Sequence, residues 1–472
     1  MGRTLVPKIS EQAPELYPYQ QAGVEFLRKN DRAYLGDEMG LGKTVQLIRG
    51  SVGRTLVVAP AMLVDSGTWQ REIDRWADDP SRFVVTAYTR LPGRNGRKMS
   101  QKPREEFDQE WDTLIFDEAH YLKNRDSIRT QVSLRVARRA KRVYLASGTP
   151  VPNWAHELFV PLQILHPEEA KAGMPYGSYW RWVETWFRVS PSPFARGALD
   201  IGRLRGCNAA CARRSPDDPC EHYQAFSRTN LGDRMLRRLR DDVLQELPDL
   251  RVQRVPVPMT TKQWTEYRRM REEYIATVDD SERVAWSGAS RHVYLDQITT
   301  SLGMLSGDPT AHSGKFEALA ADLEQRSRPT VVVAHYRATV EGAAQVARNL
   351  DKTVGIIHGQ TSRAERERVV EEFQAGRLDV LVGSFDTISE GLTLTAADTM
   401  IMLELSYKAA RNQQAIRRIH RIGQDQGCLV LEYYSTGPKG QATLDSAKRD
   451  LVDRKIQGAA HALTAATIKE LL

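Results

Sequence analysis

A glycine-rich loop at residues 37–44, with the sequence DEMGLGKT, constrains the fold of this 472-residue chain more than any other segment. It follows a short apolar run at 32–36 and precedes a helical pattern, as a loop between a buried strand and a helix does. The glycines of such a loop turn backbone N–H groups towards phosphates, and the dipole of the following helix favours the same anions. The loop therefore predicts a parallel α/β sheet with a phosphate-binding edge.

Apolar runs of strand length occur in two separate regions of the chain. Each run is bounded by turn or polar residues, and helical patterns separate the runs, which is the alternation expected of buried parallel strands. The pattern predicts two parallel sheets and therefore two lobes. The runs of the first region are residues 32–36, 55–60, 113–117 and 142–147, and those of the second are 330–335, 354–359, 379–384, 399–405 and 428–434.

The region between the two sets of strands breaks this alternation. Residues 155–310 are rich in Trp, Tyr and Arg and contain helical stretches such as 232–247. The C-terminal tail has apolar residues at helical spacing. The predicted domains are a first lobe at 1–160, a helical insertion with a Cys-rich loop and hinge segment at 161–250, a helical protrusion at 251–310, a second lobe at 311–440 and C-terminal helices at 441–472.

Four residues of the glycine-rich loop can bind a nucleoside triphosphate and its metal. Gly40 and Gly42 allow close approach of the backbone, Lys43 can reach the β and γ phosphates, and Thr44 can bind Mg²⁺ through its hydroxyl. The strict form of this motif has glycine at the position of Asp37. For the segment taken alone, a plain glycine-rich turn is the alternative.

Two carboxylates, Asp117 and Glu118, end an apolar strand of the first region, in the sequence DEAH. One of them can hold a hydrated metal ion while the other orients an attacking water. A strand that ends in two acids can also be a charged helix cap, but phosphoryl transfer needs both this pair and the upstream loop. Ser147 and Thr149, after the next strand, can hydrogen-bond the acidic loop or simply form a turn.

Residues 414–424, QAIRRIHRIGQ, supply two arginines from far down the chain. Arg418 and Arg421 are three residues apart, so on a helix they would lie on one face. Guanidinium groups directed at a γ phosphate stabilise the charge that spreads over it during transfer, and arginines from the second lobe would make hydrolysis depend on lobe closure. A solvated basic helix or a nucleic-acid-binding patch is the alternative for this segment alone.

Cys207, Cys211, Cys220 and His222 lie in one short polar loop. Three thiols and an imidazole can complete a tetrahedral zinc shell, and the loop has little apolar content to fix its shape otherwise. The spacing is not that of a standard zinc finger, so three unlinked, reduced cysteines in a flexible insertion are the alternative. Cys428 fits core packing in a strand.

These segments, in this order, resemble the Swi/Snf-type ATPases of helicase superfamily 2 over about residues 20–460. The resemblance implies an α/β fold of two RecA-like lobes with parallel sheets, helical insertions between them and a C-terminal helical segment. It also implies ATP-driven translocation along double-stranded DNA, with ATP and Mg²⁺ bound. The segments that carry it are YPYQQAGVEFL, DEMGLGKT, APAMLV, DEAHYLKN, SGTPVPN, LRRLRDDVLQELP, VVVAHY, GQTSRAERERVVEEFQ, GSFDTISEGLTLTAAD and QAIRRIHRIGQ.

The resemblance also implies roles for individual residues. The nucleotide-site roles are Gln20 for adenine, Gly40, Gly42, Lys43 and Thr44 for phosphates and metal, Asp117 and Glu118 for metal and water, Arg418 and Arg421 as arginine fingers, and Gly391 in a loop that faces both ATP and DNA. The candidate DNA contacts are Thr68, Lys123, Asn124, His358, Ser384 and Thr395. Each of the DNA candidates could instead cap a helix or close a turn.

Two segments depart from the family's pattern. The glycine pair of its fifth motif is replaced by Ser389, Glu390 and Gly391, and residues 404–408 read Glu-Leu-Ser-Tyr-Lys where Asp and then Trp-Asn-Pro are usual. The segment with Glu404 in place of Asp is similar to that of the fork-remodelling, strand-annealing branch of the family. This shifts the expected substrate slightly towards branched DNA.

Composition permits this interpretation without proving it. The formal net charge is +7, which allows a phosphate-binding groove. No apolar run approaches the roughly 18 residues of a membrane span, the N-terminus lacks a signal-peptide core, and four cysteines argue against a disulfide scaffold. We expect a soluble monomer without membrane contact, associated with the nucleoid in a bacterial or phage-infected cytoplasm, or nuclear in a eukaryote.

The leading hypothesis is a DNA-dependent ATPase, composed of the motor and little else, that remodels DNA or protein–DNA complexes. The second is an ATP-dependent helicase or annealing helicase on branched DNA, which a strand-displacement assay would distinguish. The third is a DNA-binding scaffold that does not hydrolyse ATP. The complete set of Lys43, Asp117, Glu118, Arg418 and Arg421 argues against the scaffold.

Overall fold

A computed structural model of the chain describes two compact units. The first lies within Met1–Val151, Ala155–Val243 and Ala460–Leu472, and the second within Pro152–Trp154 and Leu244–Ala459. The domain boundaries drawn from the sequence remain predictions. The residues described are 15–91, 94–95, 98–99, 107, 109–192, 198–208, 210–211, 214, 218–243, 248–278, 281–389, 392–421 and 423–463. No helix within these ranges is long and apolar enough to cross a membrane.

The first unit alternates strands and helices, as its apolar runs predict. Its elements are α1 (Pro18–Lys29), β1 (Arg32–Leu35), α2 (Lys43–Gly50), β2 (Thr55–Ala59), α3 (Ala61–Asp65), α4 (Thr68–Trp76), β3 (Phe83–Ala87), β4 (Arg94–Asn95), β5 (Lys98–Met99), β6 (Thr113–Phe116), α5 (Ile128–Arg139), β7 (Arg142–Ala146), α6 (Phe159–Leu165), α7 (Tyr179–Trp186), β8 (Phe187–Pro191), β9 (Leu199–Leu204), α8 (Glu221–Asn230), β10 (Met235–Leu236) and α9 (Arg240–Val243).

The main sheet of this unit is parallel and has six strands among the described residues, in the order β10-β1-β7-β6-β2-β3. Strands β2 and β6 are buried along their whole length, because helices cover both faces of such a sheet. Leu47 of α2 and Trp69 and Ile73 of α4 pack in one core with strand residues such as Val57 and Ile115. The predicted runs at 32–36, 55–60, 113–117 and 142–147 are confirmed as strands of this sheet.

Edge strands of this sheet were not predicted. Strand β3 is only partly buried, and β10 has two residues, which is too short for a periodic signal. Strand β10 pairs in parallel with β1, matching Tyr34 with Met235 and Leu35 with Leu236. This pairing brings residues after 236 to the end of β1, where the glycine-rich loop begins.

The insertion predicted as helical at 161–250 also contains an antiparallel hairpin, which corrects that expectation. Strands β8 and β9 pair from Phe187 with Leu204 to Pro191 with Leu199. Phe187 contacts Trp182 and Phe226 through its ring, with centroids 5.5 and 5.7 Å away. The aromatic residues that made this region look irregular in sequence therefore join the hairpin to α7 and α8.

The second unit repeats the strand–helix alternation. Its elements are β11 (Leu250–Pro258), α10 (Thr261–Glu273), β12 (Ile275–Val278), β13 (Ser281–Val284), α11 (Gly288–Thr300), α12 (Gly314–Glu324), β14 (Thr330–Ala334), α13 (Arg337–Arg348), β15 (Val354–Ile357), α14 (Arg363–Gln374), β16 (Val380–Ser384), α15 (Phe385–Ile388), β17 (Thr399–Met402), α16 (Ala409–Ile419), β18 (Cys428–Thr436) and α17 (Leu444–Leu463), whose residues from Ala460 on are assigned to the first unit.

The main sheet of the second unit is also parallel, with six strands in the described ranges in the order β11-β18-β17-β14-β16-β15. Alternate residues of β14 enter two different cores: Val331 and Val333 pack in one, and Val332 and Ala334 in the other. This is the pattern of a strand with both faces buried. Two such sheets confirm the predicted two-lobed α/β fold class.

The helical protrusion predicted at 251–310 needs one correction. Its first residues form β11, an edge strand that pairs with β18 over the whole of Leu250–Pro258. Two prolines and several exposed polar residues hide this strand in the sequence, yet an edge position tolerates proline. The rest of the region is helical apart from the β12–β13 hairpin and has its own core around Tyr267, Met270 and Ile298.

Candidate nucleotide site

The glycine-rich loop lies at the carboxyl end of β1 and leads into α2, as the sequence predicts. Gly40 and Gly42 have φ angles of 87° and 69°, in the left-handed region where a side chain is strained. A Cβ atom at Gly42 would also collide with the Gln20 amide. Backbone conformation therefore favours glycine at both positions, and lack of space requires it at Gly42 as well.

Lys43 begins α2, and its ammonium group lies over the loop. Its Nζ donates hydrogen bonds to the carbonyl oxygens of Asp37 and Glu38, at 2.9 and 3.1 Å. Burial lowers the pKa of Lys43, although the nearby carboxylates of Glu118, Asp37 and Asp117 act in the opposite direction. Thr44 follows in the first turn of the same helix and is half-buried.

Asp37 stands where the strict motif has glycine, and its carboxylate forms buried structural hydrogen bonds. Both of its carboxylate oxygens are bonded: Oδ1 accepts from Nε and the backbone N–H of Arg238, at 3.0 and 3.1 Å, and Oδ2 accepts from Gln46 at 3.1 Å. Asp37 and Arg238 are 0% and 4% exposed. The pair fixes the start of the loop to the segment after β10, and sequence reasoning missed it.

Gln20 reaches the same loop from α1. Its Oε1 accepts a hydrogen bond from the backbone N–H of Tyr17 at 3.1 Å, which orients the amide. Its Nε2 lies 3.4 Å from both the Tyr19 hydroxyl and the Leu41 carbonyl. The side chain predicted to contact adenine is thus buried beside the phosphate-binding loop.

Asp117 follows β6, the second strand over from β1 in the sheet. Trp69 donates from Nε1 to Asp117 Oδ2 at 2.9 Å, and the backbone N–H of Glu118 donates to Oδ1 at 2.9 Å. Burial and the adjacent Glu118 carboxylate raise the pKa of Asp117. The sequence analysis did not predict this contact, which joins residues 48 positions apart.

Glu118 adopts a left-handed backbone conformation, with φ 48° and ψ 53°, which is uncommon for a residue with a side chain. Its Oε2 accepts from Ser147 at 3.0 Å and lies 3.1 Å from His120 Nδ1. Burial opposes ionisation, but His120, Lys43 and Ser147 outweigh it, so the pKa of Glu118 is lowered. The predicted link between Ser147 and the acidic loop is present, whereas the role of His120 was missed.

The two arginines of the second unit, Arg418 and Arg421, do not lie on one helix as predicted. Helix α16 ends at Ile419, so Arg421 lies beyond it and the two side chains do not share a helix face. They nevertheless reach one loop: Arg418 donates to the Ser389 carbonyl at 2.5 Å, and Arg421 to the Thr393 hydroxyl at 2.9 Å. Burial lowers the pKa of Arg421. Gly391, predicted in this loop, lies outside the described residues.

The candidate DNA contacts are distributed over both units, and each takes part in a local hydrogen bond. In the first unit Thr68 Oγ1 lies 2.7 Å from Ser66 Oγ, Lys123 donates to Glu157 at 3.2 Å, and Asn124 accepts from the Asp126 backbone at 3.1 Å. In the second unit His358 accepts from the Gln360 backbone at 3.2 Å, Ser384 lies 2.9 Å from Thr387, and Thr395 accepts from Gln374 at 3.2 Å. Their role in DNA contact remains a prediction.

The Cys-rich loop brings its four candidate ligands together. The Sγ atoms of Cys207, Cys211 and Cys220 and a ring nitrogen of His222 all lie within 4.8 Å of one another. All three cysteines are free thiols. Cys207 and Cys220 are buried, while Cys211 is half-buried and His222 is exposed.

A glycine-rich loop and an acid pair on one edge of a parallel sheet, with two arginines that reach one loop of a second parallel α/β unit, are the set of groups typical of helicase-type ATPases. Family comparison specifies the class further. The model of the SNF2-related domain matches residues 19–90 and 81–300, and that of the helicase conserved C-terminal domain matches 314–423. The chain belongs to the SNF2-related family.

Individual relatives resemble this chain at low sequence identity. The chain is 27% identical to the human DNA annealing helicase and endonuclease ZRANB3, over 94% of this chain and 40% of that protein. It is 26% identical to a Caenorhabditis elegans homologue of the SWI/SNF-related matrix-associated actin-dependent regulator of chromatin subfamily A-like protein 1, over 93% of this chain and 61% of that protein. The chain thus spans less than two thirds of either relative.

Among solved structures, the Sulfolobus solfataricus SWI2/SNF2 ATPase core in complex with dsDNA aligns with 97% of this chain and 96% of that one, at 21% identity and a TM-score of 0.39.

Proposed function

We propose that this chain hydrolyses ATP to drive translocation along double-stranded DNA. The carrying observation is the arrangement at one sheet edge. Strands β1, β7 and β6 are neighbours, so their carboxyl ends bring together Lys43, Ser147 and the pair Asp117 and Glu118. Glu118 accepts a hydrogen bond from Ser147 and lies 3.1 Å from His120, and its lowered pKa favours the carboxylate form that would orient an attacking water.

Each group has a distinct task in this proposal. Lys43 exchanges its loop carbonyl partners for phosphate oxygens, and the loop amides between Gly40 and Lys43 bind the same phosphates. Thr44 and Asp117 present a hydroxyl and a carboxylate, which are the hard oxygen ligands that Mg²⁺ takes. The bound ion supplies charge neutralisation at the phosphates, and Glu118 orients the water for attack.

Arg418 and Arg421 are the proposed arginine fingers of the second unit. Both residues are half-buried, and their guanidinium groups donate to Ser389 and Thr393, so their positions depend on one short segment. A fork of N–H donors held in this way suits a γ phosphate whose charge increases during transfer. The departure from the family's glycine pair falls in this same loop.

The test is the rate of ATP turnover with duplex DNA, single-stranded DNA or RNA added at equal nucleotide concentration. Duplex should stimulate most, and stimulation should fall as salt rises, because phosphate contacts release counterions. Displacement of a triplex-forming strand from the same duplex should require ATP. Stimulation by RNA alone would contradict the proposal.

A second candidate function, annealing of strands on branched DNA, is favoured by the similarity to the human relative, a DNA annealing helicase and endonuclease. Glu404, which suggested this branch, is 2% exposed and accepts hydrogen bonds from Thr300 and Thr339 at 2.7 and 3.0 Å. These buried hydrogen bonds give Glu404 a structural role within the second unit that does not require DNA. Rewinding of a bubble substrate without strand displacement would support the annealing function.

The monomeric state and the cellular location stay predictions.

A further inference from the structure

We infer that Cys207, Cys211, Cys220 and His222 bind one zinc ion, which fixes the β8–β9 hairpin to the start of α8. This site does not depend on the proposed motor function. Its four ligand atoms come from two places in the chain: two thiols follow β9, and the third thiol and the imidazole begin the helix.

The geometry fits tetrahedral zinc. Ligand atoms at Zn–S bonds of about 2.3 Å are about 3.7 Å apart in a tetrahedron, and Cys207 Sγ lies 3.5 Å from Cys220 Sγ. The full set stays within 4.8 Å. Three sulfurs and one nitrogen are a ligand set that zinc takes in structural sites.

The backbone on the hairpin side positions the first two thiols. Gly206 has a φ of 83°, and a Cβ there would collide with the ring of His222. The Asn208 side chain accepts from the backbone N–H groups of Ala210 and Cys211, at 2.9 and 3.1 Å, and so turns the chain back towards the cluster. The tight turn thus brings Cys211 close to Cys207.

The helix side positions the other two ligands. Cys220 is the N-cap residue of α8, and His222 lies in the first turn. The hairpin is otherwise joined to this helix through its base, where the buried Phe187 contacts Phe226. A metal bound by residues of both segments would fix the polar loop, from Cys207 just after β9, to the start of α8.

The test begins with metal analysis of the full chain purified without chelator. About one zinc per chain is expected. Cys207→Ser should lose it, while Cys428→Ser, which changes a buried strand cysteine outside the cluster, should keep it. Replacement by Co²⁺ should give a thiolate charge-transfer band in the parent and the Cys428 variant, and none in the Cys207 variant. Zinc no higher in the parent than in Cys207→Ser, with no cobalt band, would overturn the inference.

The structural role has its own readout. Chelation should speed amide hydrogen exchange at residues 198–208 and 218–230, while exchange in α2 should stay unchanged. A thiol assay in denaturant should count four reactive thiols after metal removal, because all four cysteines are free. Two reactive thiols would indicate a disulfide in place of the metal site, and unchanged exchange would overturn the structural role.

Discussion

Trp69 donates a hydrogen bond from its indole N–H to Oδ2 of Asp117 at 2.9 Å, and both side chains are buried. The backbone N–H of Glu118 holds the other carboxylate oxygen. The orientation of Asp117 is therefore set by its neighbours before a ligand arrives. Hydrogen-bond partners of this kind orient metal ligands, and their loss typically lowers metal affinity or activity by about 10- to 100-fold.

Replacing Trp69 with Phe keeps a large ring in the core and removes the indole N–H. We expect about a tenfold loss of ATP turnover and a higher Mg²⁺ requirement, because Asp117 loses a partner that orients it. The measurement is turnover against Mg²⁺ concentration. Trp76→Phe is the matched control, because Trp76 lies on the same helix and packs against the same core, while the indole that bonds Asp117 is that of Trp69. An unchanged Mg²⁺ dependence in a folded Trp69→Phe protein would refute this role.

The buried pair of Asp37 and Arg238 predicts a stability effect. Asp37→Asn leaves the Arg238 guanidinium buried without its counter-charge, so the free energy of unfolding should fall by about 3–5 kcal/mol. Denaturant unfolding measures this difference. Asp78→Asn breaks the exposed pair with Arg49, which solvent screens, and should leave the midpoint close to that of the parent. Equal effects of the two changes would contradict the assignment.

The paired arginines predict a separation of binding from turnover. Arg418→Ala should retain ATP binding but reduce the DNA-stimulated rate by about 10³ or more, the magnitude typical of an arginine finger. Arg418→Lys keeps a cation and a donor for the Ser389 carbonyl but loses the fork, so it should remain strongly impaired. Arg368→Ala, on the exposed face of α14, is the control. A rate for Arg418→Lys near that of the parent would argue for a purely structural residue.

Buried strands and the loops at their carboxyl ends were predictable from the sequence, because continuous apolar runs and glycines carry local signals. Edge strands β3, β10 and β11 were missed, since partial burial, two-residue length and prolines remove those signals. The prediction that Arg418 and Arg421 share one helix face was wrong, because α16 ends between them.

Contacts between residues far apart in the sequence could not be predicted either. Arg238 meets Asp37 from 201 residues away, and nothing local to either residue marks the other. Sequence pattern read Asp37 as a departure from the motif, whereas the structure shows a bonded carboxylate in its place. The cysteine cluster is the opposite case: its spacing is irregular, yet the fold brings its ligand atoms together.

The most direct measurement is ATP turnover by Glu118→Gln with saturating duplex DNA, together with its affinity for a nonhydrolysable ATP analogue. The amide is nearly the same size as the carboxylate, so the protein should fold and bind the analogue within about threefold of the parent, while turnover falls by at least about a hundredfold because no carboxylate orients the water. Turnover equal to that of the parent would contradict the account.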